Sequence, residues 1–126
     1  MKELTKAEEQ LMKYLWKLDR AFLKDIVEQY PEPRPAYTTI STVVNVLVRK
    51  KMVDFKTYGK SREYFPVLTR QQYLKQSFKG LISGFFEGSP RQFASFFTSD
   101  QDLSISELEE IRSLIDAEIN KQKRQQ

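Results

Sequence analysis

Three patterns predict a mainly α-helical chain with one small β wing. Apolar residues recur at helical spacing in six segments. Two short aromatic, β-favouring runs flank a glycine. Between the second and third helical segments stands a proline-punctuated link, Pro31, Pro33 and Pro35, which stops one helix and stiffens the approach to the next.

The first helix opens on a capping box, Thr5-Lys6-Ala7-Glu8, in which the hydroxyl serves the Glu8 amide and the carboxylate reaches back. Leu11, Tyr14, Leu15 and Leu18 follow at i, i+3, i+4 and i+7, with Trp16 beside them. A shorter helix fits Leu23 to Tyr30, with Leu23, Ile26 and Val27 turned inward.

The segment AYTTISTVVNVLVRKK, residues 36–51, is rich in strand-favouring Val, Thr and Ile. As a strand, neither face would be cleanly apolar. As a helix, Ile40, Val43, Val44, Leu47 and Val48 form one stripe, and Thr38, Thr42, Asn45 and Arg49 lie opposite. Burial contributes roughly 1.5–3 kcal/mol per large apolar side chain, against at most about 0.7 kcal/mol per residue of poor helix propensity. The segment is predicted to be a helix.

Met52–Tyr58 and Ser61–Phe65 then read as two strands, with Gly59 in the tight turn between them and Pro66 ending the second. Residues 1–68 are therefore expected to form a winged helix-turn-helix domain. Residues 69–126 are expected to form a three-helix dimerisation domain, with helices over 69–86, 90–98 and 104–121 and a frayed tail. Ser89-Pro90 and Ser104-Ile105-Ser106-Glu107 start the last two helices.

With neither Cys nor His in 126 residues, thiol nucleophiles, imidazole bases and ordinary structural zinc sites are excluded. No catalytic residue, metal site or cofactor is expected, and the chain reads as no enzyme. The longest apolar runs are too short to cross a membrane and the N-terminus lacks a secretory apolar region. A cytoplasmic location is the simplest expectation. The acidic group Asp100, Asp102, Glu107, Glu109 and Glu110 matches no metal loop and is read as structural.

The charge has a direction. Residues 1–68 carry a net +4 and the remainder none. Between Arg34 and Arg62 stand seven basic residues (Arg34, Arg49, Lys50, Lys51, Lys56, Lys60 and Arg62) against Asp54 alone, as a polyanion-binding surface requires. An ordinary exposed helix face is rich in Glu and Lys, yet residues 38–48 carry no charge at all. Asn45 suits adenine, Thr methyl groups suit thymine, the Ser41 and Thr42 hydroxyls suit bases or phosphates, and Arg49 suits phosphate or guanine. Lys56, Lys60 and Arg62 on the wing suit backbone phosphates. Sequence-specific recognition of double-stranded DNA is the expected function. A winged helix used only to bind another protein is the alternative.

Phe78, Phe85, Phe86, Phe93, Phe96 and Phe97 are more apolar surface than three short helices can bury among themselves. The expected remedy is a homodimer built on Phe78, Leu81, Ile82, Phe85, Phe93, Phe96, Leu108, Ile111, Ile115 and Ile119. Packing on the N-terminal domain is the alternative.

Nearly the whole chain resembles the penicillinase-repressor family of bacterial regulators. The resemblance rests on LTKAEEQLMKYLW, AYTTISTVVNVLVRKKMV, GKSREYFPVL, FEGSPRQFASFF and DLSISELEEIRSLI in that order. It implies a dimeric winged-helix repressor on an inverted repeat, commonly with TACA/TGTA half-sites, before resistance genes. On matching positions it implies DNA contacts among Tyr37, Thr38, Thr39, Ser41, Thr42, Asn45 and Arg49, with Lys60 and Arg62 on the wing. It further implies a membrane sensor metalloprotease that triggers inactivating cleavage in the helix before the last, at the bond matching Phe96–Phe97. Well-known members have Asn where Phe96 stands. The copper-responsive branch senses metal through cysteines, which this chain lacks.

Overall fold

In the computed structural model, residues 4–99 and 102–126 are described, so Asp100 of the acidic group and part of the loop before the last helix lie outside the described residues. The chain divides into two compact units, Met1–Gln76 and Ser77–Gln126, with the division inside a helix.

The first unit is a winged helix, mainly α with a small β wing as the sequence predicts. Helix α1, Lys6–Leu18, carries the expected box: the Thr5 amide donates to Glu8 Oε1 at 3.0 Å and the Glu8 amide to Thr5 Oγ1 at 3.2 Å. Its inward side buries Leu11, Met12 and Leu15 completely. Trp16 lies at the edge of the core, its indole N–H donating to the Leu68 carbonyl at 2.8 Å.

Strand β1, Ala21–Phe22, was absent from the sequence expectation. It is two residues long, too short to display an alternating pattern. Helix α2, Leu23–Gln29, follows at once, with the Asp25 carboxylate accepting from the Phe22 amide at 3.0 Å. The proline link then leads to α3, Tyr37–Arg49. Strands β2, Val53–Tyr58, and β3, Ser61–Pro66, form the hairpin, with Val53 opposite Pro66 and Tyr58 opposite Ser61. Gly59 turns it at φ +61°, the region open to a residue without Cβ. The sheet order is β1-β3-β2, antiparallel throughout.

Helix α3 is a helix despite its composition because Ile40, Val44 and Leu47 are all buried in one core with α1, α2 and the sheet. Its C-terminus is a Schellman motif: the Lys51 amide donates to the Val48 carbonyl and the Met52 amide to the Leu47 carbonyl, each at 3.0 Å. Lys51 holds φ +63°, a conformation that costs a residue with Cβ about 1–2 kcal/mol. Lys51→Gly is therefore expected to raise stability by about 0.5–1 kcal/mol once the looser unfolded glycine is counted. A urea midpoint that does not rise would refute this.

The second unit holds α4, Arg70–Phe85, which begins in the first unit, then α5, Pro90–Thr98, and α6, Ile105–Arg124. The Ser89 hydroxyl accepts from the Gln92 amide at 3.1 Å, and Ser104 and Glu107 exchange bonds of 3.1 and 3.0 Å. The expected frayed tail is corrected: helix continues to Arg124. Lys121, Lys123 and Arg124 in its last turn complement the negative helix end.

Candidate nucleic-acid interface

Along α3, burial separates two faces. Ile40, Val44 and Leu47 are enclosed, while Tyr37, Thr38, Thr39, Thr42, Asn45 and Arg49 are exposed and Ser41 is half-buried. Ala36 caps the N-terminus without a side-chain hydrogen bond, so first-turn amides are left to water or to an anion. The Thr42 hydroxyl donates to the Thr38 carbonyl at 2.9 Å. Its single hydrogen is thereby engaged, and it offers outward a methyl group and lone pairs.

A cleft of about 390 Å³ opens between α3 and the wing. Tyr37, Ser41 and Asn45 line it from α3, and Lys60, Ser61, Arg62 and Tyr64 from the hairpin. Phe22, Leu23 and Lys24 close its third side. The structure thus brings together five of the expected DNA-contact residues: Tyr37, Ser41, Asn45, Lys60 and Arg62. Thr38, Thr42 and Arg49 lie outside the cleft on the exposed face of α3. Thr39 lies on the other flank of the helix, where it lines a separate apolar pocket with Tyr14, Tyr30 and the three prolines. Burial, then the nearby Tyr14, pushes the Tyr30 hydroxyl up to about 12.

The wing cations differ in freedom. The Arg62 guanidinium lies 4.3 Å from the Phe55 ring centre, a cation–π contact that limits its sweep without neutralising it. Lys60, in the turn, and Lys56, on β2, are exposed.

Two of the seven cations counted from the sequence are engaged within the protein. Arg34 donates to the Tyr30 carbonyl at 2.8 Å and the Glu28 carbonyl at 3.2 Å and pairs with Glu32 at 3.5 Å. Lys50 reaches both oxygens of Glu8 at 2.8 Å. Burial raises the Glu8 carboxyl, but the Lys50 ammonium and the Thr5 amide and hydroxyl more than offset it, leaving it below its ordinary value. Arg49, Lys51, Lys56, Lys60 and Arg62 make no ion pair among the described residues.

Lys24 is the charged residue of the cleft that sequence reasoning missed. Its only signal there was a lysine in the first turn of a helix, where the dipole disfavours a cation.

In the second unit, Phe93 packs edge-on against Phe78 and Phe86, with centroids 4.8 and 5.6 Å apart, and stacks on Phe97 at 5.8 Å. Of the expected dimerisation residues, Ile82 is buried and Phe93, Leu108 and Ile111 are half-buried. Phe78, Leu81, Phe85, Phe96, Ile115 and Ile119 are exposed, Phe85 to 80% and Phe96 to 67%. Leu114, exposed to 70%, was not among the expected set. The Phe96–Phe97 bond lies near the C-terminal end of α5.

The family model described as "Penicillinase repressor" matches residues 4–117. Proteins named "Methicillin resistance regulatory protein MecI" from Mammaliicoccus sciuri and Staphylococcus epidermidis are each 25% identical over 114 residues, covering 90% of this chain and 93% of theirs. A solved chain described as "CopR Repressor Structure" is 28% identical and covers 52% of this chain and 97% of its own, with a TM-score of 0.45.

Proposed function

The chain belongs to the penicillinase repressor family and is a DNA-binding transcriptional repressor, not an enzyme; from that premise we propose that it acts as a homodimer occupying a palindromic operator. The observation that carries this reading is the pairing of an exposed α3 face, uncharged from Thr38 to Val48, with a cleft whose lining among the described residues holds three cations and no carboxylate. The first suits base edges in the major groove and the second suits the backbone beside it.

In this reading Thr38, Thr42, Asn45 and Arg49 face the bases, and Tyr37, Thr39 and Ser41 flank them. Lys60 and Arg62 hold the strand that passes the wing. The exposed apolar residues of α4, α5 and α6 receive a second copy, which presents two reading helices to two half-sites. The relatives named as methicillin resistance regulators support resistance genes as the regulated set. Relief would come from cleavage by a membrane sensor metalloprotease at Phe96–Phe97, which would disrupt α5 and its phenylalanine cluster. As a DNA-binding repressor it would act in the cytoplasm. Among the described residues no helix is long and apolar enough to cross a membrane.

The test is selection of a preferred duplex from a random pool, followed by titration. Asn45→Ala is expected to lose about 1–3 kcal/mol of preference for the selected site over a scrambled one. Arg62→Ala should weaken both alike and make binding less steep in salt. Weak binding that never distinguishes sequences would instead favour a protein-interaction module.

A further inference from the structure

The cleft beside α3 has three cationic corners contributed by three separate elements: Lys24 on α2, Lys60 in the hairpin turn and Arg62 on β3. Among the described residues no carboxylate lines it. Within it the Ser41 hydroxyl, half-buried on α3, adds a neutral donor. Positive charge on three sides with no counter-charge is a surface built for an anion.

Lys24 is the informative corner. It stands in the first turn of α2, where the dipole disfavours a cation, and no ion pair among the described residues relieves it. Its neighbour Asp25 is committed to the Phe22 amide at 3.0 Å. Lys24 is exposed, so its ammonium is free to meet a ligand that enters the cleft.

We propose that this cleft seats a backbone phosphodiester of the bound DNA and that Lys24 anchors it from the start of α2. The proposal rests on the DNA-binding reading above and deepens it. The phosphate would be gripped between α2 and the hairpin, which fixes the depth at which α3 enters the groove. Lys24 contributes affinity and register and carries no information about base sequence.

The experiment is a fluorescence anisotropy titration of the full chain on the selected duplex and on a scrambled duplex, across a salt series. Lys24→Gln is expected to lower affinity for both duplexes by the same factor. It should make the slope of log K against log salt shallower by about 0.9 per bound chain. Lys24→Arg should keep the wild-type slope. Lys13→Gln, which removes an exposed lysine paired with Glu9 and absent from the cleft, should leave it unchanged. Thermal melting separates a folding defect from a lost contact, because only the latter changes the slope while leaving the midpoint in place. An unchanged slope in Lys24→Gln overturns the proposal, as does a loss confined to the selected duplex. Wild-type protein that prefers no sequence would instead overturn the repressor reading, and the slope on the scrambled duplex would still decide the role of Lys24.

Discussion

Glu8→Gln is expected to destabilise the protein by about 2–3 kcal/mol at neutral pH, because it leaves the Lys50 ammonium without its counter-charge. The Glu8 side chain is 7% exposed and that of Lys50 22%, so neither charge is fully hydrated. Glutamine retains an oxygen for the Thr5 amide, so the substitution removes the ion pair while sparing the α1 cap. Lys50→Met should cost a similar amount. The double variant should lose less than the sum, since each single change strands a charge that the other removes. Urea titration of all four proteins measures this, and additive losses would show that the two groups are not coupled.

The same pair sets an acid limit. Its carboxyl titrates in the folded chain below the ordinary 4.5. Its contribution is therefore complete above the unfolded value and is lost as pH falls from about 4.5 through the folded value. Wild type should lose stability in that window more steeply than Glu8→Gln. Parallel curves would contradict the assignment.

The second large effect concerns assembly. Ile115→Asp places a charge within the exposed apolar stripe of α6 and is expected to give a monomer in sedimentation at micromolar concentration. Operator affinity should fall by roughly 10²–10⁴-fold, because linked half-sites supply an effective concentration that two separate chains lack. The first unit should melt as before, since Ile115 belongs to the second. A variant that remains dimeric, or a wild-type protein that sediments as a monomer, would refute the proposed interface.

What could be foreseen from sequence followed the range of the interaction. The stripe Ile40, Val44 and Leu47 spans two turns of one helix, so local periodicity exposed α3 despite its β-branched residues. The caps at Thr5, Ser89 and Ser104 act across three residues and were equally legible. Lys50 could be counted as a cation, but its partner stands at position 8, and no local pattern connects them. Lys24 was passed over in the sequence, because only the fold brings it beside Lys60 and Arg62. Strand β1 exists because β3 offers an edge to Ala21 and Phe22, and two residues encode no period of their own.

That short strand has a thermodynamic consequence. By pairing Ala21 with Tyr64 and Phe22 with Glu63, it fastens the middle strand of the wing to the chain that enters α2. A wing that stayed mobile would have to be ordered on contact with DNA, at about 1–2 kcal/mol of backbone entropy for each residue newly fixed. Here that ordering accompanies folding, and the wing meets the duplex already set. Association should accordingly show a heat-capacity change that reflects docking of formed surfaces, without the larger decrement of a segment folding as it binds.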